Sequence, residues 1–396
     1  VDFDRVIERR GTGSTKWDRY SGDVLPLWVA DMDFASPPAV VAALRERVEH
    51  GVFGYALVPE SLIAAIQEHL LRRYGWRIEP EWLVFLPGAV AGLNLACKAV
   101  GVPGDEVMTV TPVYPPFLAA PRYQDRRLIT VPAVIDPSGH QTEPARSTGL
   151  PADASAGRWQ LPLAAMEAAV TSRTRLLLFC HPHNPLGRVW SLDEVRAVVD
   201  FCARHDLVLC SDELHCDLIL DSLQHVPAAT LGDDAAARTI TIMSPSKTFN
   251  VAGLQFAYGV VPDPSLRRRF LHAGDGLMEP DYPGWFAIAA AEAAYRGGAQ
   301  WHADLLDYLR GNRDLLERFV HEQWPRVRTT HVEATYLAWL DVRALGLEDP
   351  ARACLEAGVA LSDGKPFGAP GFLRINFGCP RSTLREALNR LADVLR

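Results

Sequence analysis

The sequence predicts an α/β protein built on an open parallel sheet, and three observations carry that prediction. Apolar, β-branched runs of strand length recur along the chain, stretches with apolar residues at helical spacing alternate with them, and several of the runs stop at polar residues. The alternation marks a large domain over residues 46–283, with residues 1–45 and 284–396 forming a smaller α/β domain. At 396 residues and 48% apolar content the chain is long enough to bury two cores.

Taken in order, helical spacing appears at 38–49, 60–74, 192–205, 286–296 and 384–395. Strand-like runs lie at 83–86, 106–110, 175–180, 207–210 and 239–243, with later ones at 335–341 and 372–376. Residues 136–158 are rich in Pro, Gly, Ser, Thr and Ala, and are expected to form a mobile surface loop or to fold over a site and tune substrate size. Residues 279–286 carry two prolines, Gly284 and the bulky Trp285, a combination expected to reshape a pocket near the entry to the small domain. There are no internal repeats.

Composition narrows the function. A net charge of -8 with scattered arginines and no basic block argues against nucleic-acid binding. No apolar stretch reaches the roughly 18 residues of a membrane span, and no secretory signal opens the sequence, so a cytoplasmic protein is expected. The seven cysteines show no CxxC spacing and read as buried thiols in a reducing compartment. Cys180, His181 and His183 are close in sequence, but Pro182 and the Asn-Pro turn that follows give the loop another purpose, so no metal is expected.

Lysine is scarce here: Lys16, Lys98, Lys247 and Lys365 are the whole set. Lys247 follows the run 239–243 within Ser244-Pro245-Ser246-Lys247-Thr248-Phe249-Asn250. A lysine at a strand mouth is commonly a solvated loop residue, yet an amine can lose its proton and form a Schiff base with a carbonyl, pyridoxal phosphate (PLP) included, and a guanidinium cannot. Two other strand ends decide between these readings. Run 175–180 opens into His181-Pro182-His183-Asn184-Pro185-Leu186-Gly187-Arg188, and run 207–210 ends at Ser211-Asp212. Ligands of open parallel sheets bind beyond the carboxyl ends of the strands, so Asn184, Asp212 and Lys247 converge on one crevice. Asp212 suits a protonated pyridine nitrogen, Asn184 the phenolic oxygen of the ring, and Lys247 the aldehyde. Each has an ordinary alternative, since Asn-Pro initiates turns and an Asp at a strand end caps helices. Together, in this order, they favour a cofactor site.

The remaining pieces fit the same ligand. Pro87-Gly88-Ala89-Val90 turns from strand into a helix of small residues, where free N–H groups and the positive dipole end bind phosphate, although small residues also serve close helix packing. Gly88 permits close backbone approach. Ser244 and Ser246 either add hydroxyl donors or stabilise the turn. Tyr114, in a proline-bounded loop after run 106–110, is placed to stack on a flat ring.

The ordered set Gly88-Ala89-Val90, Tyr114, Asn184-Pro185-Leu186-Gly187-Arg188, Asp212 and Ser244-Pro245-Ser246-Lys247 resembles the fold-type-I PLP-dependent enzymes of the aspartate-aminotransferase superfamily. Within it the chain is most similar to the MalY/PatB group of cystathionine β-lyase-like carbon-sulfur lyases, through Trp28-Val29-Ala30-Asp31-Met32-Asp33-Phe34, Phe53-Gly54-Tyr55, Glu333-Ala334-Thr335-Tyr336 and Phe372-Leu373-Arg374-Ile375-Asn376. The resemblance implies a large domain with a mostly parallel seven-stranded sheet and a smaller α/β domain. It also implies that Arg374 clamps the substrate α-carboxylate, that Ala30 lines the substrate side, and that Tyr55 reaches the phosphate of a neighbouring subunit's cofactor in a homodimer with shared sites. Trp17 is either a further substrate contact or a packing anchor. Aminotransferases of the superfamily usually carry tyrosine three residues after the pyridine-pairing Asp, and often arginine eight residues after the Schiff-base Lys. This chain has His215 and Gln255 there, as the lyase group implies. His215 either touches the phenolic oxygen of the ring or caps its turn.

The reaction so implied is α,β-elimination on L-cystathionine or another cysteine S-conjugate, giving a thiol, pyruvate and ammonia. Lys247 takes the α-proton and returns it to the departing sulfur, with Tyr55 and Tyr114 as other candidates for that last step. An aminotransferase is the second reading, and a regulatory or interaction protein that keeps PLP as a structural ligand is the third.

Overall fold

The computed structural model describes residues 1–136, 157–276 and 283–396. A seven-stranded sheet lies at its centre, ordered in space as Leu83–Leu86, Ala257–Val260, Thr239–Met243, Val208–Asp212, Thr174–Cys180, Glu106–Thr111 and Arg127–Pro132. Neighbours are parallel except where Ala257–Val260 pairs antiparallel with the strand on either side. Successive side chains of a strand point to opposite faces, so Leu176 and Leu178 enter one core while Leu177 and Phe179 enter another. Both faces being covered is what turns these strands into unbroken apolar runs.

A second sheet, antiparallel throughout, is ordered Arg328–Thr329, Leu337–Asp341, Phe372–Asn376 and Ser362–Asp363. The N-terminal segment joins this region through Leu25–Pro26, which pairs with Val359–Ala360. A third core, shared by the helices Pro38–His50, Glu60–Tyr74, Trp285–Gly297 and Ala299–Gln323, lies between the two sheets' neighbourhoods and includes residues of both, such as Met243 and Ile375.

The helices expected at 60–74 and 192–205 stand at Glu60–Tyr74 and Leu192–Arg204, the second started by a capping box between Ser191 and Glu194. The last helix is shifted: it runs Arg381–Arg390 and not 384–395, because Pro380 sets its start. The longest helix, Ala299–Gln323, was not anticipated. Its inward face carries the polar residues His302, Asn312, Arg313 and Glu317, which interrupt the apolar period by which such helices are read. The helix Pro38–His50 runs through residue 46, so a domain division there would cut a helix; its end at Gly51, with φ of 75°, is the break the backbone supplies.

Those inward polar groups form an ion network. The His331 ring lies 2.9 Å from Glu317 Oε2 on one side and 2.9 Å from Asp221 Oδ2 on the other, while Arg313 donates to Asp221 Oδ1 at 2.6 Å. Burial works against the imidazolium, but the hydrogen bonds and charges of Asp221 and Glu317 overcome it and raise His331 to about 9. A folded-state pKa above the unfolded value means stabilisation that is complete below about pH 6.5 and lost as pH rises through about 9. We therefore expect His331→Gln to lower the urea unfolding midpoint clearly at pH 6 and hardly at all at pH 9.5; an equal loss at both values would refute the ionic role.

All seven cysteines are free thiols and buried. Among the described residues no cluster has the makings of a metal site, and no helix is long and apolar enough to cross a membrane.

Candidate active site

Because six of the strands run parallel and leave the sheet at one edge, the loops that follow them meet there. Across that edge the strand order presents the helix start at Gly88, then Lys247, Asp212, Asn184 and Tyr114. The crevice above it has a volume of about 240 Å³ and opens to solvent. Of the residues singled out in the sequence, Gly88, Ala89, Val90, Tyr114, Asn184, Asp212, His215, Ser246, Lys247 and Ala30 line it.

Lys247 Nζ donates to the carbonyl of Ala30 at 2.7 Å. Burial and, secondarily, the Arg374 charge push its amine down to about 8, against the opposing pull of Asp31 and Asp212. Asp212 closes its strand opposite Cys180 and Ile242 and accepts from the Leu214 N–H at 3.2 Å. Burial raises its carboxyl to about 7, only partly offset by that N–H and by Lys247. His215 is held neutral, down to about 3, by burial and by the charges of Lys247 and Arg374, and its Nδ1 is buried without a hydrogen-bond partner.

Arg374, on Phe372–Asn376 opposite Trp339, is buried; its Nη1 donates to Asn184 Oδ1 at 3.0 Å and its Nη2 to the Trp28 carbonyl at 2.9 Å. Its Nε is buried without a partner, and burial pulls the guanidinium down to about 10. Since Oδ1 of Asn184 accepts from Arg374, the amide N–H₂ remains to face the crevice. The loop carrying Asn184 is fixed by Arg188, which is fully buried and reaches Trp159 O at 2.8 Å and both oxygens of Glu194 at 2.8 and 2.9 Å.

The cradle at the helix start has the features a phosphate needs. Gly88 precedes Ala89–Ala99 with no side-chain cap, so the first N–H groups stay free. A Cβ built at Gly88 meets nothing within 4 Å, whereas one at Gly92 would lie 2.7 Å from Ile242 Cδ1. The small residues thus serve both purposes weighed from the sequence: open space at Gly88 and close packing at Gly92.

Four expected residues stand elsewhere. Ser244 donates to Phe256 O at 2.6 Å and accepts from Ser246 N–H at 3.0 Å, so its hydroxyl secures the turn and Ser246 alone of the pair lines the crevice. Trp17 is a packing anchor and not a wall of the crevice: its indole donates to Asp33 Oδ1 at 2.7 Å and Arg10 lies over its ring. Arg374 stands behind Asn184, outside the immediate lining. Tyr55 takes no part in its own chain's crevice and is 97% exposed, beside exposed Val52, Phe53 and Leu57.

Of the two unusual stretches, residues 137–156 and 277–282 lie outside the described residues. The base of the first is a short hairpin, Val134–Asp136 with Arg158–Gln160. The described end of the second turns away from the crevice: Trp285 donates to Gly54 O at 2.7 Å, with Arg47 stacked 3.8 Å above its ring, and Phe286 meets Phe53. It braces the segment that carries Tyr55.

The structure also brings to the site residues to which the sequence reading gave no part in it. Leu214 and Cys180 line the crevice, and buried Tyr336 donates to the Ala30 carbonyl at 2.9 Å. Tyr336 precedes an apolar strand, where a tyrosine reads as core; nothing local marks its hydroxyl as facing a site.

A seven-stranded sheet with one antiparallel strand, an amine at one strand mouth, a buried carboxylate at the next and an uncapped helix start define a site of the fold-type-I PLP enzyme class. The chain belongs to the aminotransferase class I and II family, whose model matches residues 22–391. It is 35% identical to cystathionine beta-lyase PatB of Bacillus subtilis over the whole of both chains. Among solved structures, OvoB superposes with a TM-score of 0.90 at 42% identity, covering 100% of this chain and 99% of that one. The PLP-bound C-S lyase of Staphylococcus hominis superposes with a TM-score of 0.88 at 30% identity over 100% and 99%.

Proposed function

We propose that this protein is a PLP-dependent carbon-sulfur β-lyase that cleaves L-cystathionine or another L-cysteine S-conjugate to a thiol, pyruvate and ammonia by α,β-elimination. The observation that carries the reading is the buried Lys247 amine, poised at about 8 between the Asp212 carboxylate and the Arg374 guanidinium. The full-length likeness to a cystathionine β-lyase selects this reaction among those such a site can run.

The chain's residues fit PLP: a carboxylate whose raised proton affinity calls for a cationic partner, a bare helix start, and a free amide at Asn184. When bound, the cofactor supplies an electron sink that makes the α-proton of an amino acid acidic. Asp212 would hold the ring nitrogen positive, Asn184 would donate to the phenolic oxygen, and the N–H groups from Gly88 to Val90 with Ser246 would cradle the phosphate. Arg374 engages the α-carboxylate and thereby orients the α-proton toward Lys247. An amine near 8 is an effective base at neutral pH, and the proton it takes is available for the departing sulfur. His215, neutral and with a bare Nδ1, lies at the same wall.

The exposed group Val52, Phe53, Tyr55 and Leu57 supports a homodimer in which Tyr55 enters the partner's crevice. The free, buried thiols support a cytoplasmic setting. The seven-stranded and four-stranded sheets support a division into a large domain over 46–283 and a small one from 1–45 and 284–396.

The deciding experiment gives PLP-loaded protein L-cystathionine or an S-alkyl cysteine. Equal amounts of pyruvate and thiol are expected; amino transfer that depends on an added keto acid would make the protein an aminotransferase. In the same assay Arg374→Lys should raise KM roughly 10²-fold, because an ammonium cannot keep the forked contacts to carboxylate, Asn184 and Trp28 O. PLP should stay bound. An unchanged KM would remove Arg374 from substrate binding.

A further inference from the structure

The segment that crosses the crevice is pinned carbonyl by carbonyl. Trp28 O accepts from Arg374 at 2.9 Å, Val29 O and Asp31 O accept from Asn376 Nδ2 at 2.6 and 2.7 Å, and Met32 O accepts from Asn250 at 2.9 Å. Ala30 O, in the middle, accepts two donors of a different kind: Lys247 Nζ at 2.7 Å and Tyr336 Oη at 2.9 Å. A carbonyl oxygen has two lone pairs, so both bonds are allowed, but each weakens the other's claim on the same electron density.

Tyr336 has no freedom to yield. It is 1% exposed, its carbonyl accepts from Phe377 N–H at 2.9 Å, and it follows Thr335, a β-branched residue at φ of 76°. Its ring lies edge-on to His215 at 6.1 Å. A rigid hydroxyl is therefore aimed at the one oxygen on which the free amine of Lys247 rests.

We propose that Tyr336 is a positioning residue which, through the Ala30 carbonyl, makes the Lys247 amine easier to deprotonate and so readies it as the base. The physical cause is competition. An ammonium gains more from a carbonyl acceptor than a neutral amine does; a second donor on that acceptor reduces the ammonium's advantage and shifts the balance to the free amine. The other groups that bear on Lys247 are Arg374, which acts in the same direction, Asp31 and Asp212, which act against it, and neutral His215. None of them shares an acceptor with Lys247, so Tyr336 is the group whose removal changes the carbonyl alone.

The inference rests on the reading of Lys247 as the proton-transferring amine, and its test needs neither substrate nor turnover. The full-length chain is freed of PLP, its fold verified by circular dichroism and by return of the Schiff-base absorbance when PLP is added back. Acetylation of Lys247 by acetic anhydride is then followed against pH by peptide mass spectrometry. Tyr336→Phe keeps the ring and deletes the donor; the midpoint of Lys247 reactivity should rise by about half a pH unit or more, which is roughly threefold slower acetylation at a fixed pH below it. The acid limb of the kcat profile of the holoenzyme, where the base must lose its proton, should move the same way. Site-specific 3,5-difluorotyrosine at 336, a stronger donor of nearly equal size, should lower the midpoint, and it keeps the proposal testable should Tyr336→Phe fold poorly. A midpoint that stays fixed, or that moves opposite to donor strength, overturns the proposal. Failure to release pyruvate from any cysteine conjugate would overturn the lyase reading instead and leave this titration standing.

Discussion

Lys247→Ala is expected to abolish the visible Schiff-base absorbance of the PLP-loaded protein and to reduce pyruvate release by at least roughly 10⁴-fold, the combined loss of a covalent anchor and a positioned base. The folded state should survive. Lys247 is held in a site whose burial and Arg374 charge already work against its protonated form, so alanine removes an unfavourable charge, and the Ala30 carbonyl keeps the Tyr336 hydroxyl as donor. A melting temperature near that of the parent, with neither colour nor turnover, is the expected pattern. Retained absorbance or retained turnover would take the amine out of the chemistry.

Asp212→Asn should leave that absorbance in place and still cost roughly 10²- to 5 × 10³-fold in kcat/KM. The substitution is isosteric and its oxygen still serves the Leu214 N–H, so the local fold has no reason to move. What disappears is the negative charge. In the cofactor-free chain burial raises Asp212 to about 7; opposite a ring cation it ionises and forms a buried pair, and deleting one partner of such a pair costs about 3–5 kcal/mol. That energy converts to the stated loss of rate. A kcat/KM within threefold of the parent would show that the ring nitrogen needs no anionic partner.

How far the sequence reached depended on whether the signal was local. The strands 83–86 and 239–243 were read to the residue, because each is a short apolar run closed by a change of chemistry. Lys247, Asp212 and Asn184 were legible for the same reason: Asp212 closes a strand, Lys247 and Asn184 stand in the loops just past two others, and parallel strands deliver their ends to one edge. Ala299–Gln323 escaped, although it is the longest helix, since its inward residues bond to Asp221, His331 and the carbonyls of Phe377 and Cys379 and so break the apolar period. Trp17 and Ser244 are the converse. Their residue types suit a ligand, but Asp33 and Phe256 O take their polar atoms first.

The sequence by itself determined the class of the sheet, the order in which helix start, phenol, amide, carboxylate and amine leave it, and hence the kind of cofactor that fits. The tertiary structure decided how ready those groups are for chemistry. That Arg374 holds the Asn184 oxygen, that Asp212 is raised and Lys247 lowered, and that Tyr336 and Lys247 share the Ala30 carbonyl all depend on contacts between residues far apart in the chain. Proton affinity follows from burial and from neighbouring charge, and both are fixed only when distant segments close over the same crevice.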